Sequence, residues 1–393
     1  MRVGLLGVQF DNPNLGVEAL AYSVLGIVRE MVAETADFVV FSRDGRAALD
    51  RAAEVMGIDG RRLVSAPIRH RHLGRLHAAM RSCDVIIELT GGDSFADIYG
   101  LRRLLVNLTD KQVALWSGTP LVIAPQTIGP FQRRLVRPAV GHMLNKAALV
   151  AVRDELSRDL VLSLTRREVL VATDVALALP RDPHRYQRPD SGKIAVGVNV
   201  SGLLWNGGYT GDNQFGLRAD YRRYCDLLVD QLLAEGFDVH LVPHVIGREG
   251  ALDEDDVTAC EAVRAAHPAC SVAPRFGDPV DAKSYIANLD VMVGARMHAT
   301  IAAFTSGVAT VPVAYSRKFA GYYSNLGYSD LVDLASLDTE SAVAQTVRLV
   351  HERDRLRQAA QRSREIAGEK LAVFTRRLEQ ILSSPEAARG RAR

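Results

Sequence analysis

The sequence predicts an α/β protein of two Rossmann-like, doubly wound domains facing each other across a cleft. Three observations carry this. Short apolar runs alternate with helically spaced segments over residues 1–180 and again over 193–337. Such alternation builds βαβ units around a mostly parallel sheet covered on both faces. A charged, proline-bearing stretch at 181–192 interrupts the pattern and has the composition of a linker. Finally, 393 residues exceed what one hydrophobic core commonly supports, so two domains are expected.

Residues 3–7, 38–41, 84–89, 121–124 and 149–152 read as strands of the first domain. The second domain takes 194–199, 239–242, 291–293 and 310–314. From 338 to 383 the chain turns helical and charged, with Asp338, Thr339 and Ser341 as candidate N-caps and Val343, Val347 and Val350 at helical spacing. Residues 384–393 are polar and expected to fray. Doubly wound domains bind ligands at the carboxyl ends of their strands, and here that places the site between the two.

Composition narrows the function classes. With 48% apolar residues, 24% charged residues and a net charge of +2, the chain reads as an ordinary soluble globular protein and not as a nucleic-acid binder. Cys83, Cys225, Cys260 and Cys270 form no C-x-x-C pair and have no zinc-like spacing to histidine, so no metal site is expected. The chain opens directly on a strand with no basic n-region, and no apolar run reaches the roughly 18 residues of a membrane span. Reduced thiols and a cytoplasmic location follow as expectations.

The most telling segment is Gly294-Ala-Arg-Met-His298, followed by Tyr315-Ser-Arg-Lys318. Arg296 and His298 fall in the first turn of an apolar helix, where unpaired N–H groups and the helix dipole favour an anion. The next strand returns Arg317 and Lys318 to the same edge. A single Arg or His in such a turn is more commonly a cap or surface residue; four ionisable groups at one edge point to an anion pocket. His244, at the end of strand 239–242, faces the cleft in this sheet order. The glycine-rich loop 201–215 offers Trp205, Tyr209 and Phe215 as a lid stacking on a sugar ring, or Trp205 and Phe215 as core plugs.

In the first domain, polar residues recur at successive strand ends. Asn14, Gly16 and Glu18 follow the first strand as a ligand loop or as an Asx turn and helix cap. Gly91, Gly92, Asp93 and Asp97 follow strand 84–89, where paired glycines admit close backbone approach and the carboxylates suit sugar hydroxyls or a helix N-terminus. Gln126 follows the next strand. Arg153 is positioned to point into the cleft at a carboxylate or phosphate while Asp154 and Ser157 cap a helix. The basic run 69–77 fits a solvated helix face better than a surface for an anionic polymer or membrane.

Taken in order, Asn14-Leu-Gly, Gly91-Gly, Gln126-Thr-Ile-Gly-Pro, Val152-Arg-Asp-Glu-Leu-Ser, Asn199-Val-Ser-Gly, Val242-Pro-His244, Gly294-Ala-Arg-Met-His298 and Tyr315-Ser-Arg-Lys318 resemble the polysaccharide pyruvyl transferase family. The resemblance covers most of the chain, and its ordered series is specific where single members are not. It implies a GT-B-like architecture and transfer of a pyruvyl group from phosphoenolpyruvate to sugar hydroxyls as a ketal, with no metal or further cofactor. It also implies an acceptor-side first domain, a donor-side second domain, and a sugar or lipid-linked oligosaccharide acceptor that could bring the protein to a membrane surface. Arg296, Arg153 and Lys318 would hold the donor's phosphate and carboxylate, and His298 would be general acid or phosphate ligand. Asn199 and Tyr315 join the substrate-binding residues through the same series. Asp93 stands where the family often has a third glycine, and Val17 where it has an aspartate; both departures bear on acceptor preference. Two other readings compete: a GT-B glycosyltransferase using a nucleotide-sugar donor, and a non-catalytic glycan-binding protein. The first is disfavoured by the absence of Glu between Glu261 and Glu340, the second by retention of Arg296, His298 and Lys318.

Overall fold

The computed structural model describes residues 1–68, 70–186, 192–247 and 254–385, with residues 70, 317, 318 and 320 described by backbone alone. It divides into two compact units. The first comprises 1–12, 20–178 and 367–393, the second 13–19 and 179–366.

The first unit is built on seven strands: β1 (Arg2–Leu6), β2 (Asp37–Phe41), β3 (Leu63–Ser65), β4 (Val85–Glu88), β5 (Leu121–Gln126), β6 (Leu149–Val152) and β7 (Leu170–Val171). They lie in the order β3-β2-β1-β4-β5-β6-β7, and every pair is parallel. Runs such as Val85-Ile-Ile are apolar without alternation because a parallel sheet covered by helices is buried on both faces. β1 pairs with both β2 and β4, and the chain leaves β1 and β4 in opposite directions, which puts the topological switch point between them.

The second unit repeats the scheme with β8 (Ala195–Asn199), β9 (Asp238–Leu241), β10 (Ser271–Val272), β11 (Val291–Gly294), β12 (Ala309–Ala314) and β13 (Val332–Asp333), ordered β10-β9-β8-β11-β12-β13 and parallel throughout. Its core joins Val196, Val198, Val291, Val293 and Val311 of the sheet to Leu228, Val229, Val343, Val347 and Val350 of the covering helices. β3, β7, β10 and β13 are absent from the sequence reading, since strands of two or three residues are too short to show a period.

The division departs from the expected boundaries at two places. Residues 13–19, expected in the first domain, group with the second unit. Leu15 N donates to His244 O (3.1 Å), Ile246 N donates to Pro13 O (2.8 Å), and the Leu15 side chain is buried with Val242, Met292 and Ala299. The charged C-terminal stretch, expected as a segment of its own, is shared. Helix Thr339–His351 buries its apolar face in the second unit's core, whereas helix Arg353–Ser383 starts in the second unit and ends among residues that group with the first. The expected linker and tail lie partly outside the described residues, at 187–191 and 386–393. All four cysteines are buried free thiols. Among the described residues no helix is long and apolar enough to cross a membrane.

Candidate functional site

In the second unit, polar groups gather where β8, β9 and β11 end. Arg296 is the N-cap of helix Met297–Ser306, and its backbone N–H donates to Asn199 Oδ1 (2.8 Å). Its guanidinium was expected to grip substrate; instead it is held inside the protein. Nε and Nη2 donate to Asp256 Oδ1 at 3.2 and 2.9 Å, Nη2 donates to Glu254 O (2.8 Å), and Nη1 lies 3.4 Å from Glu254 Oε2. The cause is Asp256, a fully buried carboxylate that requires a compensating charge. Burial works against the charge on Arg296, but attraction to Asp256 outweighs it and the pKa rises. Asp256 also accepts from the backbone N–H of Gly202 (2.8 Å), His244 (3.0 Å) and Val245 (3.0 Å), so one carboxylate ties three strand ends together. Asn199 is consumed likewise, its amide donating to Val242 O (2.9 Å) and to Asp256. Arg296 and Asn199 therefore bind the ends of β8, β9 and β11 to one another.

His298 is the second residue of the same helix, and its ring lies on the backbone of Gly16. The loop carrying Gly16 is an Asx turn, with Asn14 Oδ1 accepting from Gly16 N (2.9 Å) and Asn14 O accepting from Val17 N (2.9 Å). Glu18 follows, buried in the first turn of helix Leu15–Met31. His244 is 3% exposed, and neither of its ring nitrogens has a hydrogen-bond partner. Burial, with smaller contributions from His298 and Arg296, pushes its pKa down to about 3, so the imidazole is neutral. The structure thus brings His298, Gly16, Asn14 and His244 together around one helix N-terminus.

Other expected residues are differently placed. Tyr315 packs edge-on against Phe215 at 4.9 Å between ring centroids. Trp205 ends helix Gly202–Trp205 beneath the Arg222 guanidinium, 5.3 Å from its ring centroid. Trp205, Phe215 and Tyr315 all pack against the second unit's core, which fits the plug reading of Trp205 and Phe215. The Lys318 backbone is in the first turn of helix Arg317–Ser324, which Ser316 caps; its side chain lies outside the described residues.

In the first unit, Arg153 follows β6 but is buried against Asp174, the Nη1 group ion-paired to its carboxylate. Nε donates to Thr127 Oγ1 (2.9 Å), which donates to Asp154 Oδ2 (3.0 Å), and Asp154 caps helix Glu155–Leu162 through Ser157 N (2.7 Å). Arg153, expected to point into the cleft at a carboxylate or phosphate, meets the internal carboxylate of Asp174, 21 residues on. Gln126 is similarly engaged, accepting from Thr90 N (3.0 Å) and donating to Glu88 Oε2 (2.9 Å). Glu88 pairs in turn with Lys111 (2.9 Å), buried over the Phe95 ring. This network anchors the turn at Gly91 and Gly92, whose φ angles of +54° and +80° favour glycine. Asp93 accepts from Tyr99 Oη (2.7 Å), and Asp97 binds the N–H groups of Gln132 and Arg133 (3.0 and 2.8 Å).

Sequence reasoning passed over Asp256, Glu254, Asp174, Glu88 and Lys111. A signal exists for two of them. Asp256 is in helical phase with Cys260 and Val263, and Lys111 with Leu104 and Leu108, so each is a charge on an apolar stripe.

The family model described as polysaccharide pyruvyl transferase matches residues 14–317, which include Asn14, Gly16, Asn199, His244, Arg296, His298 and Tyr315 and stop one residue short of Lys318. The chain belongs to the polysaccharide pyruvyl transferase family. A curated relative, the amylovoran biosynthesis protein AmsJ of Erwinia amylovora, is 20% identical over 280 residues, or 67% of this chain. This pyruvyl transferase family member spans 65% of that relative's length. Among solved structures, it is similar to the UDP-GlcNAc 2-epimerase from Neisseria meningitidis bound to UDP-GlcNAc (TM-score 0.60, 10% identity, 97% of this chain and 100% of that one). It is also similar to a putative UDP-N-acetylglucosamine 2-epimerase from Listeria monocytogenes (0.58, 12%, 92% and 90%) and to Anabaena Alr3699/HepE in complex with UDP and glucose (0.56, 13%, 98% and 100%). At these identities the likeness is one of fold, of the GT-B type.

Proposed function

We propose that this family member transfers a pyruvyl group from phosphoenolpyruvate to two hydroxyls of a sugar in a polysaccharide precursor, giving a cyclic ketal and inorganic phosphate. The observation that carries the reading is His298 in the first turn of helix Met297–Ser306, seated on Gly16 and beside neutral His244. Phosphoenolpyruvate carries about three negative charges near neutral pH, and sequestering them takes several charge-assisted donors. With Arg296 and Arg153 tied to internal carboxylates, that task falls to the helix N-terminal amides, His298 and Lys318.

In this scheme His298, protonated, gives its proton to the methylene carbon, which becomes the methyl group. C2 turns electrophilic, and a sugar oxygen bonds there as its proton leaves. The bond from C2 to the phosphate oxygen breaks, phosphate departs with the electron pair, and a second hydroxyl oxygen closes the ring with loss of its proton. One phosphoenolpyruvate and one diol yield one ketal and one phosphate. A lipid-linked acceptor would bring this cytoplasmic chemistry to a membrane surface.

The test is phosphate release by purified protein given phosphoenolpyruvate and candidate glycans, with a 70 Da pyruvyl increment on the product, roughly pyruvate less water. His298→Ala and Lys318→Ala should each abolish release without lowering Tm. Turnover driven by a UDP- or GDP-sugar in place of phosphoenolpyruvate would overturn the reading in favour of glycosyl transfer.

A further inference from the structure

The first unit contains a cavity of about 420 Å³ where β1, β2 and β4 end, at the switch point of its sheet. Its floor is bare backbone. Gly7, one residue beyond β1, has φ +73°, and a Cβ there would lie 2.9 Å from Leu89 O, one residue beyond β4. The walls come from Ser42, Arg43 and Asp44 after β2, from Thr90 to Ser94 after β4, and from Arg103, Asn107 and Asp110 on helix Leu101–Trp116.

The lining has a definite chemistry. Arg43 is exposed and, among the described residues, makes no hydrogen bond or ion pair. Arg103 donates to Ser94 Oγ (2.6 Å) and lies over the Tyr99 ring, with no carboxylate partner among the described residues. Asp44 spends Oδ2 on Phe10 N (2.9 Å) and keeps a second oxygen. Asn107 donates to Ser94 O (3.1 Å), which leaves its amide oxygen as an acceptor. Asp11 is paired with Arg51 (4.0 Å), and the carboxylates of Asp44 and Asp110 match the two guanidiniums in number, so the cavity offers a phosphate no positive excess. Phe41, Ile68 and Val106 add apolar wall. Interspersed donors and acceptors beside an apolar face match a sugar ring, whose hydroxyls both donate and accept and whose C–H face is apolar. The volume falls within the roughly 300–1,000 Å³ of small-molecule pockets.

We infer that this cavity binds an uncharged hexose unit, its hydroxyls held by Arg43, Asp44, Arg103 and Asn107. Calling that hexose part of the acceptor rests on the transferase reading above; its binding does not.

Binding can be read on the full chain, without phosphoenolpyruvate, by NMR of ¹³C-labelled methyl groups, since Val8, Ile68 and Val106 line the cavity. The probes are methyl β-D-galactoside, methyl β-D-glucoside and methyl α-D-mannoside, with inorganic phosphate and glucuronate as charged contrasts. At least one neutral glycoside should shift these methyl signals saturably. Arg43→Ala and Asp44→Asn should each weaken it by about tenfold, the loss expected for one charge-assisted hydrogen bond. Both variants keep the fold. Arg43 makes no internal hydrogen bond or ion pair among the described residues, and the amide oxygen that Asp44→Asn introduces still accepts from Phe10 N. Unchanged methyl signals elsewhere verify this. The inference is overturned if no glycoside moves the three methyls, if both variants bind undiminished, or if phosphate or glucuronate binds there more tightly. Saturable binding without phosphate release from phosphoenolpyruvate would remove the transferase reading and leave the hexose site standing.

Discussion

The imidazole of His298 occupies the space that a side chain on Gly16 would need: a Cβ there would stand 2.7 Å from His298 Cγ, and nearer still to Nδ1. Two motifs from opposite ends of the family match are thereby one steric unit. The glycine of Asn14-Leu-Gly is required by the histidine of Arg-Met-His298, and its φ lies in the ordinary range, so space and not backbone conformation demands it.

Gly16→Ala should consequently cost activity more than stability. Overpacking typically costs about 1–3 kcal/mol, whereas displacing a reacting group by about 1 Å can cost on the order of 100-fold in rate. Thermal unfolding and phosphate-release kinetics measured on the same sample check this. A variant that unfolds outright, or retains full kcat, contradicts it.

Removing the carboxylate at Asp256 should act on the whole strand-end assembly. Asp256→Ala strands the buried Arg296 guanidinium and three backbone N–H groups, and the expected loss is about 3–5 kcal/mol in urea unfolding. Arg296→Lys keeps the charge but not the fork, so it should cost less stability while still disturbing the helix that carries His298.

Lys283 makes stability depend on pH in a calculable direction. Its side chain is buried, with Nζ donating to Leu179 O (2.6 Å), and burial, reinforced by Arg181, lowers its pKa from 10.5 to about 7. Below pH 7 the lysine is protonated folded and unfolded, and the full cost of burying the charge is felt. Between 7 and 10.5 the unfolded state holds a proton that the folded state has released, so stability rises with pH. Lys283→Met should be the more stable protein at about pH 6, on the order of 2 kcal/mol, and the gap should shrink by about pH 9. Denaturant unfolding of both proteins across this range checks it; a constant gap refutes it.

The Glu88–Lys111 pair should behave as a unit. Lys111→Met leaves a buried, uncompensated carboxylate and should cost about 3–5 kcal/mol, but far less when combined with Glu88→Gln, whose amide oxygen still accepts from Gln126 Nε2. A double-mutant cycle that proves additive would show that the two charges do not interact.

The central strands, the parallel α/β class and the helix that carries Arg296 and His298 were legible, because buried parallel strands and a helix first turn leave local patterns. What the cations face was not. Arg296 and Arg153 both sit at strand ends as expected, yet Asp256 and Asp174 meet them from other segments, and nothing local reveals a partner 40 or 21 residues away. Of the neighbouring acidic residues, Asp255 caps the helix (Thr258 N, 3.1 Å) while Asp256 turns inward, and nothing in their sequence separates the two roles. The Asx turn at Asn14 was readable from its own residues; that its backbone belongs with β9 and β11 depended on Leu15 finding a core formed far along the chain.

Because residues 13–19 leave the first unit's chain to complete the second, and 367–393 return from the second to complete the first, neither half corresponds to a continuous gene segment. A clone ending near residue 178 would lack a helix its product needs, and one beginning near 179 would lack the glycine beneath His298. Dissecting this protein into separately expressed pieces calls for circular permutation or co-expression of complementary fragments.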